Sequence, residues 1–163
     1  MGMDLRHPAL LAIVGPTAVG KTQLAVELCQ RFSGEVINAD SRQVYRQMDI
    51  GTAKPTPEER AQAPHHLLDL LDPSEHFGLG AFLPLAQAAT SDISARGKLP
   101  IVAGGTGQYL GALLEGQSVP PVPPDPEFRA ALEQEAAEEG GAQILHDRLR
   151  EIDPARADAL DPR

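Results

Sequence analysis

The strongest constraint on the fold is a glycine-rich octapeptide that lies between an apolar segment and an amphipathic one. Residues 15–22 (GPTAVGKT), here called the phosphate loop, fit the pattern in which two glycines, a lysine and a threonine surround a phosphate group. Residues 9–14 (ALLAIV) are continuously apolar, which is typical of a parallel strand buried on both faces. From Lys21 to Phe32 the apolar residues recur at helical spacing. The chain is therefore predicted to begin with a strand, a loop and a helix.

Strands and helices continue to alternate after this unit. Residues 35–39 (EVINA) and 99–103 (LPIVA) predict two further strands. Residues 82–95 predict a helix between them, provided that Pro84 falls in its first turn. This alternation favours an α/β fold, a P-loop NTPase-like parallel sheet flanked by helices, with ligands bound beyond the carboxyl ends of the strands.

A proline-rich segment predicts a change of domain. Residues 118–126 contain five prolines and are expected to form a stiff linker. Beyond it, residues 127–139 and 142–151 predict two helices separated by a pair of glycines. We expect a catalytic core over residues 1–117, followed over residues 118–163 by the linker and the start of a helical insertion domain that is incomplete.

Composition restricts the possible functions. Fourteen Lys and Arg against twenty-three Asp and Glu leave a formal charge of −9, the wrong sign for a protein that binds nucleic acid by general charge neutralisation. The single cysteine, Cys29, lies in an apolar helical stretch and is expected to be a buried thiol in a reducing compartment. Residues 1–8 do not resemble a signal peptide, so we expect a cytoplasmic protein that does not bind a membrane.

The phosphate loop carries the clearest chemistry. Its glycines let backbone N–H groups converge on phosphate oxygens, and the start of the helix adds the positive end of its dipole. Lys21 suits the distal phosphate, and Thr22 suits Mg²⁺. A glycine-rich turn without a ligand is the plainer interpretation, and the flanking strand and helix argue against it. The phosphate loop alone does not identify the reaction, because kinases, GTPases, ATPases and other transferases share this motif.

Asp40 follows the second predicted strand, within residues 40–45 (DSRQVY). If that strand neighbours the first, the carboxylate of Asp40 lies close to the phosphate loop. Asp40 could then act as a magnesium-linked acid, as a general base or only as a helix cap. The residue type leaves these three roles open.

Five motifs in order resemble the tRNA dimethylallyltransferase family, also called isopentenylpyrophosphate transferases. The likeness covers nearly the whole chain, is weakest in the helical tail, and is lost after residues 153–154. The chain ends about halfway through a family member. The matching segments are 15–22 (GPTAVGKT), 40–45 (DSRQVY), 48–55 (MDIGTAKP), 64–69 (PHHLLD) and 104–109 (GGTGQY).

The resemblance implies transfer of the dimethylallyl group from dimethylallyl diphosphate to the N6 amine of an adenosine beside the tRNA anticodon. Asp40 would be the catalytic base, assisted by Lys21 and Thr106, while Thr22 would hold Mg²⁺. The implied partners are the donor and the tRNA anticodon arm, with the chain working as a monomer. The implied diphosphate- or nucleotide-binding residues are Gly15, Pro16, Thr17, Ala18, Val19, Gly20, Lys21 and Thr22. The implied tRNA-binding residues are Asp40, Ser41, Arg42, Gln43, Thr106 and Arg129.

Several of these residues have plainer interpretations. His65 and His66 precede an apolar run and fit strand-edge packing better than catalysis. Residues 104–105 could form only a tight turn. Arg129 could pair with Glu133, four residues on along the same predicted helix, instead of contacting RNA.

Three other functions stay open. A small-molecule kinase would bind ATP in the same loop, although no close pair of arginines follows it. An adenylate prenyltransferase shares the donor, but the helical tail favours tRNA. A truncated, catalytically silent binding domain is the third; for the chain as given we expect diphosphate binding, weak tRNA binding, barely detectable transfer and an apolar surface left exposed.

Overall fold

A computed structural model describes residues 10–117, 122 and 125–161. The chain divides into two compact units, Met1–Val119 and Pro120–Arg163. Most of the predicted linker, residues 118–126, lies outside the described residues, and so do residues 1–8. No helix within the described ranges is long and apolar enough to span a membrane.

The first unit is built on a four-stranded parallel sheet. Across the sheet, the strands lie in the order 11–14, 99–104, 34–38 and 65–66, with Leu11 opposite Ile101, Gly34 opposite Leu99 and Val36 opposite His65. The α/β prediction is confirmed. The strand that ends at Gly104 lies between the first two strands, so the second strand is not the direct neighbour of the first. The strands are β1 Leu11–Val14, β2 Gly34–Asn38, β3 His65–His66 and β4 Leu99–Gly104. The helices of this unit are α1 Lys21–Phe32, α2 Pro57–Gln62, α3 Leu79–Ala95 and α4 Gly107–Leu114.

Successive residues of the central strands point to opposite faces of the sheet, and helices cover both faces. Ile37 belongs to the cluster that includes Phe82 of α3 and Tyr109 of α4. Val36 belongs to the cluster that includes Cys29 of α1. Cys29 is buried, as predicted, and this burial raises the pKa of its thiol to about 11. A protonated, inaccessible thiol has a packing role.

Helix α3 departs from the prediction at Pro84. The helix begins at Leu79, so Pro84 is its sixth residue and lies beyond the first turn. Pro84 has no N–H to donate to the carbonyl of Gly80, but both residues are exposed, so water can hydrate that carbonyl. The neighbouring Phe82 and Leu83 are buried, and their packing holds the helix through the proline.

The second unit contains the two predicted helices and one that was missed. Arg148 on α6 (Gly141–Ile152) donates to Glu135 on α5 (Pro126–Ala137) at 2.6 Å. The ring of His146 is buried and its Nε2 lies 3.0 Å from the carbonyl of Ala157, which joins α6 to the short third helix. The helices are α5 Pro126–Ala137, α6 Gly141–Ile152 and α7 Pro154–Asp158.

Candidate functional site

A cavity of about 420 Å³ opens at the carboxyl ends of the strands in the first unit. Beside this cavity, Gly105 lies close to both the phosphate loop and Asp40. A Cβ on Gly105 would be 3.5 Å from the Gly15 carbonyl oxygen and 4.0 Å from Asp40 Oδ2. The end of β4 therefore lies between the phosphate loop and Asp40. The lining residues are Thr17, Ala18, Gly20, Lys21, Thr22, Gln23, Asp40, Gln43, Thr52, Ala53, Lys54, Thr56, Glu59, Ala103 and Gly104.

The phosphate loop leads directly into α1. Gly20 has a φ of 91°, in the left-handed region that favours glycine, and it supplies no side-chain cap to the helix. The first N–H groups of α1 are thus available to an anion beside the cavity. Lys21 Nζ reaches back across the loop to donate to the Pro16 carbonyl at 2.6 Å. Loop backbone, helix start and ammonium group form a cradle suited to phosphate oxygens.

Asp40 is held in a defined orientation by its own turn. Its Oδ1 accepts from the backbone N–H of Arg42 at 2.9 Å, and its backbone N–H donates to Asn38 Oδ1 at 3.1 Å. Residues 41–44 form turns, so the prediction that Asp40 might cap an α-helix is wrong. Within the described ranges no hydrogen bond uses Asp40 Oδ2, the oxygen on the Gly105 side. Oδ2 is therefore the Asp40 oxygen that is open to a bound ligand.

Thr106 follows β4 and forms hydrogen bonds with the end of β2 and with the turn after it. Its Oγ1 accepts from the Ser41 N–H at 3.0 Å, and its own N–H donates to the Ala39 carbonyl at 3.2 Å. Gly104 must be glycine, because a Cβ there would lie 2.2 Å from the Ala39 carbonyl oxygen. These residues form more than a tight turn. They set the distance between Asp40 and the phosphate loop, although Thr106 itself does not line the cavity.

Lys54 organises the wall opposite the phosphate loop and was not predicted to matter. Its side chain is 1% exposed, and Nζ donates to the Tyr45 carbonyl at 2.6 Å and to Asp49 Oδ1 and Asp69 Oδ1 at 2.7 Å each. Arg60 donates to the other oxygen of Asp69 at 2.6 Å. Burial opposes the charge on Asp69, but hydrogen bonds from Lys54 and Arg60 prevail and lower its pKa. All three Lys54 hydrogens are engaged, so Lys54 shapes the cavity wall and does not serve as a free cation.

Gln43, which lines the cavity, is hydrogen-bonded to the segment that Lys54 holds in place. Its Nε2 donates to the carbonyls of Thr52 at 3.0 Å and Ala53 at 3.1 Å, which belong to the segment that Lys54 anchors. The segment 48–55 was singled out by sequence only as a family motif. The available sequence signal was a lysine with one aspartate five residues before it and another fifteen residues after it.

His65 and His66 form the edge strand β3, in agreement with the strand-edge interpretation. His66 Nε2 lies 2.7 Å from Glu35 Oε2. Glu35 is buried and also accepts from Arg96 and Lys98, and the Arg96 hydrogen bonds hold its pKa well below the ordinary value against the effect of burial. This cluster stabilises the sheet edge.

The remaining predicted residues are less closely grouped. Arg42 lies in the turn after Asp40, and its backbone contacts Asp40, but neither Ser41 nor Arg42 lines the cavity. Arg129 lies on α5 in the second unit. Among the described residues no ion pair joins Arg129 to Glu133, so the alternative intrahelical pairing is wrong.

The cavity offers oxygen ligands for a divalent cation. The hydroxyl of Thr22 and the carboxylates of Asp40 and Glu59 line it together, and Mg²⁺ prefers such hard ligands. No group of three or more His, Cys, Asp or Glu side chains within the described ranges could hold a metal ion. If Mg²⁺ binds here, Thr22 would have to share it with oxygens of a bound ligand.

Comparison with known proteins agrees with this geometry. The profile of the IPP transferase family matches residues 43–163, and that of the isopentenyl transferases matches residues 8–69. A tRNA dimethylallyltransferase from Roseiflexus sp. (strain RS-1) is 61% identical over 153 residues, which cover 94% of this chain and 50% of the relative. The chain spans about half the length of the curated relatives it matches.

Solved structures show the same likeness. The full-length tRNA isopentenylpyrophosphate transferase from Bacillus halodurans is 48% identical, with a TM-score of 0.68 over 96% of this chain and 51% of that one. A eukaryotic dimethylallyltransferase acting on tRNA is 35% identical, with a TM-score of 0.77 over 94% of this chain and 38% of that one. The resemblance drawn from the five motifs is confirmed.

Proposed function

Because a family profile matches most of its length, this chain belongs to the IPP transferase family, and we propose that it carries the donor site and general base of a tRNA dimethylallyltransferase. The observation that supports this most directly is the position of Asp40 and Lys21 on the wall of one cavity. An acceptor amine beside Asp40 would there meet a diphosphate bound at Lys21.

The diphosphate of dimethylallyl diphosphate would bind the phosphate loop. Backbone N–H groups at the start of α1 and the ammonium of Lys21 would face its oxygens. These groups bind the leaving diphosphate more tightly as its negative charge grows, which lowers the barrier to breaking the allylic carbon–oxygen bond. Mg²⁺, held by Thr22 and the phosphates, would supply further charge neutralisation.

Asp40 would receive the proton of the reaction. As the N6 nitrogen of adenosine forms its bond to the allylic carbon and diphosphate departs, the nitrogen loses a proton to Oδ2. The N–H of Arg42 holds Oδ1 and keeps the carboxylate in place. The target adenosine would have to leave its base stack to reach the cavity, which costs a few kcal/mol.

The anticodon arm of tRNA would approach the turn after β2. Asp40, Ser41, Arg42 and Gln43 form this turn, and Thr106 buttresses it. Since the formal charge is −9, a general attraction to RNA cannot supply the affinity, and recognition must depend on local contacts such as those of Arg42. We include Arg129 among these contacts on the strength of the motif resemblance.

A transfer assay tests the proposal. Labelled dimethylallyl diphosphate and Mg²⁺ are incubated with an anticodon stem-loop RNA and either this chain or a chimera in which its residues replace the matching half of the Bacillus halodurans enzyme. We expect N6-prenylated adenosine from the chimera, loss of the product with Asp40→Asn, and little product from the chain alone. A chimera that folds but prenylates only free AMP indicates an adenylate prenyltransferase, and phosphoryl transfer from ATP indicates a kinase. Either result would refute the proposal.

A further inference from the structure

A small cavity lies between α1 and the sheet, next to the proposed donor site. Its volume is about 20 Å³, and its wall includes Thr22 of α1, Asn38 of β2, Gln43 and His65 of β3. A cavity needs at least about 10–15 Å³ to hold one water molecule, and the water needs polar partners. This cavity is therefore large enough for one water and too small for a larger ligand.

His65, which lines this cavity, has one ring nitrogen with a hydrogen-bond partner and one without. Nδ1 lies 2.8 Å from the Ala63 carbonyl oxygen, which can only accept, so Nδ1 carries the hydrogen. Burial lowers the pKa of His65 and keeps the ring neutral. Nε2 is then an acceptor; it is buried and has no hydrogen-bond partner among the described residues. A buried acceptor left without a donor costs about 1–3 kcal/mol, so a donor is expected there.

The neighbouring side chains cannot supply that donor directly. Asn38 donates its two amide hydrogens to backbone carbonyls at 3.1 and 3.0 Å. Gln43 likewise donates both of its amide hydrogens, at 3.0 and 3.1 Å. Thr22 lines the cavity, and its hydroxyl forms no hydrogen bond with any described residue, His65 included. Two residues that each carry an unpaired polar group, Thr22 and His65, therefore line a space the size of a water molecule.

We propose that one internal water bridges His65 Nε2 and the Thr22 hydroxyl, which makes His65 a positioning residue for Thr22. The water donates a hydrogen to Nε2 and accepts the hydroxyl hydrogen of Thr22. The lone pairs of Thr22 Oγ1 then face the larger cavity, the orientation that a threonine needs to bind Mg²⁺ beside a diphosphate. This last consequence rests on the proposed function, whereas the water itself does not.

A crystal structure of this chain tests the water directly. We expect one ordered water within about 3.2 Å of both His65 Nε2 and Thr22 Oγ1. An empty cavity, or a rotated Thr22 that donates straight to His65, would overturn the inference.

Two substitutions test the positioning role. His65→Asn keeps an amide N–H for the Ala63 carbonyl but withdraws the acceptor, whereas His65→Gln extends an acceptor towards the place of Nε2. The affinity of each protein for inorganic diphosphate is measured in the presence of Mg²⁺. We expect the affinity of His65→Asn to be about 10-fold lower than that of the unchanged chain, and the affinity of His65→Gln to be within about 3-fold of it. Without Mg²⁺, the three affinities should agree.

The comparison of the two variants separates positioning from folding. Both should melt cooperatively by circular dichroism. Equal weakening in both variants, or a loss that is the same without Mg²⁺, would contradict the positioning role. If the unchanged chain fails to bind diphosphate, the proposed function fails, while the water seen in the crystal still decides the inference.

Discussion

Replacing Lys54 by methionine tests whether this buried ammonium holds the cavity wall together. The substitution keeps most of the apolar stem and removes three hydrogen bonds of 2.6–2.7 Å. The carbonyl of the half-buried Tyr45 loses a charge-assisted hydrogen bond, worth about 1.5 kcal/mol. Asp69 loses a similar bond, about 1.5 kcal/mol, but keeps Arg60 as a partner. The side chain of Asp49 is 63% exposed and can be hydrated by water instead, so the loss of its bond to Lys54 costs about 0.5 kcal/mol or less.

The Lys54→Met variant should therefore lose about 3 kcal/mol of unfolding free energy in the first unit. Hydrogen–deuterium exchange of the slowest amides in β2 and β4 measures this loss. Lys98→Met is the matched control, because Lys98 also donates to a buried carboxylate at 2.7 Å but is 41% exposed, and Glu35 keeps Arg96 and His66. The control should lose about 1 kcal/mol. A Lys54→Met loss no larger than that of the control would refute the reasoning.

Two further predictions concern carboxylates. Because hydrogen bonds from Arg96 hold the pKa of Glu35 below its ordinary value, its contribution to stability is complete above about pH 5 and is lost as the pH falls further. Denaturation at a series of pH values should show this loss, and a Glu35→Gln variant with the same acid sensitivity would contradict it. Asp40→Asn in the chimera should lower turnover about 100- to 10,000-fold while leaving donor affinity unchanged, as measured by single-turnover kinetics and calorimetry. Unaltered turnover at saturating donor would exclude Asp40 as the base.

Local patterns predicted the parts of the fold that local forces decide. The strand, phosphate loop and first helix were predicted because apolar periodicity and glycine geometry act within a few residues, and α1 has the predicted bounds, Lys21–Phe32. The strand order could not be predicted from local patterns, because the pairing of strands depends on residues far apart in the chain. β4 enters between β1 and β2 from about sixty residues further along the chain. Asp40 still reaches the cavity, since the glycine at position 104 allows β4 and β2 to approach closely.

The part of the site that sequence reasoning missed depends on contacts distant in the chain. Lys54 in a polar segment resembles a surface lysine, and only the folded chain brings it to Asp69 and to the Tyr45 carbonyl. Helices α2 and α4 were missed because six and eight residues are too few for a clear period. Pro84 was misjudged because its effect depends on whether the freed carbonyl faces water.

The donor site is tested most directly by titrating this chain calorimetrically with dimethylallyl diphosphate in the presence of Mg²⁺. We predict saturable binding at one site, competition by inorganic diphosphate, and a loss of about 1.5–3 kcal/mol of binding free energy in Lys21→Ala. ATP titrated in parallel should bind no more tightly than the donor. Equal donor affinity in the unchanged chain and Lys21→Ala, or no donor binding by a folded chain, would contradict the account.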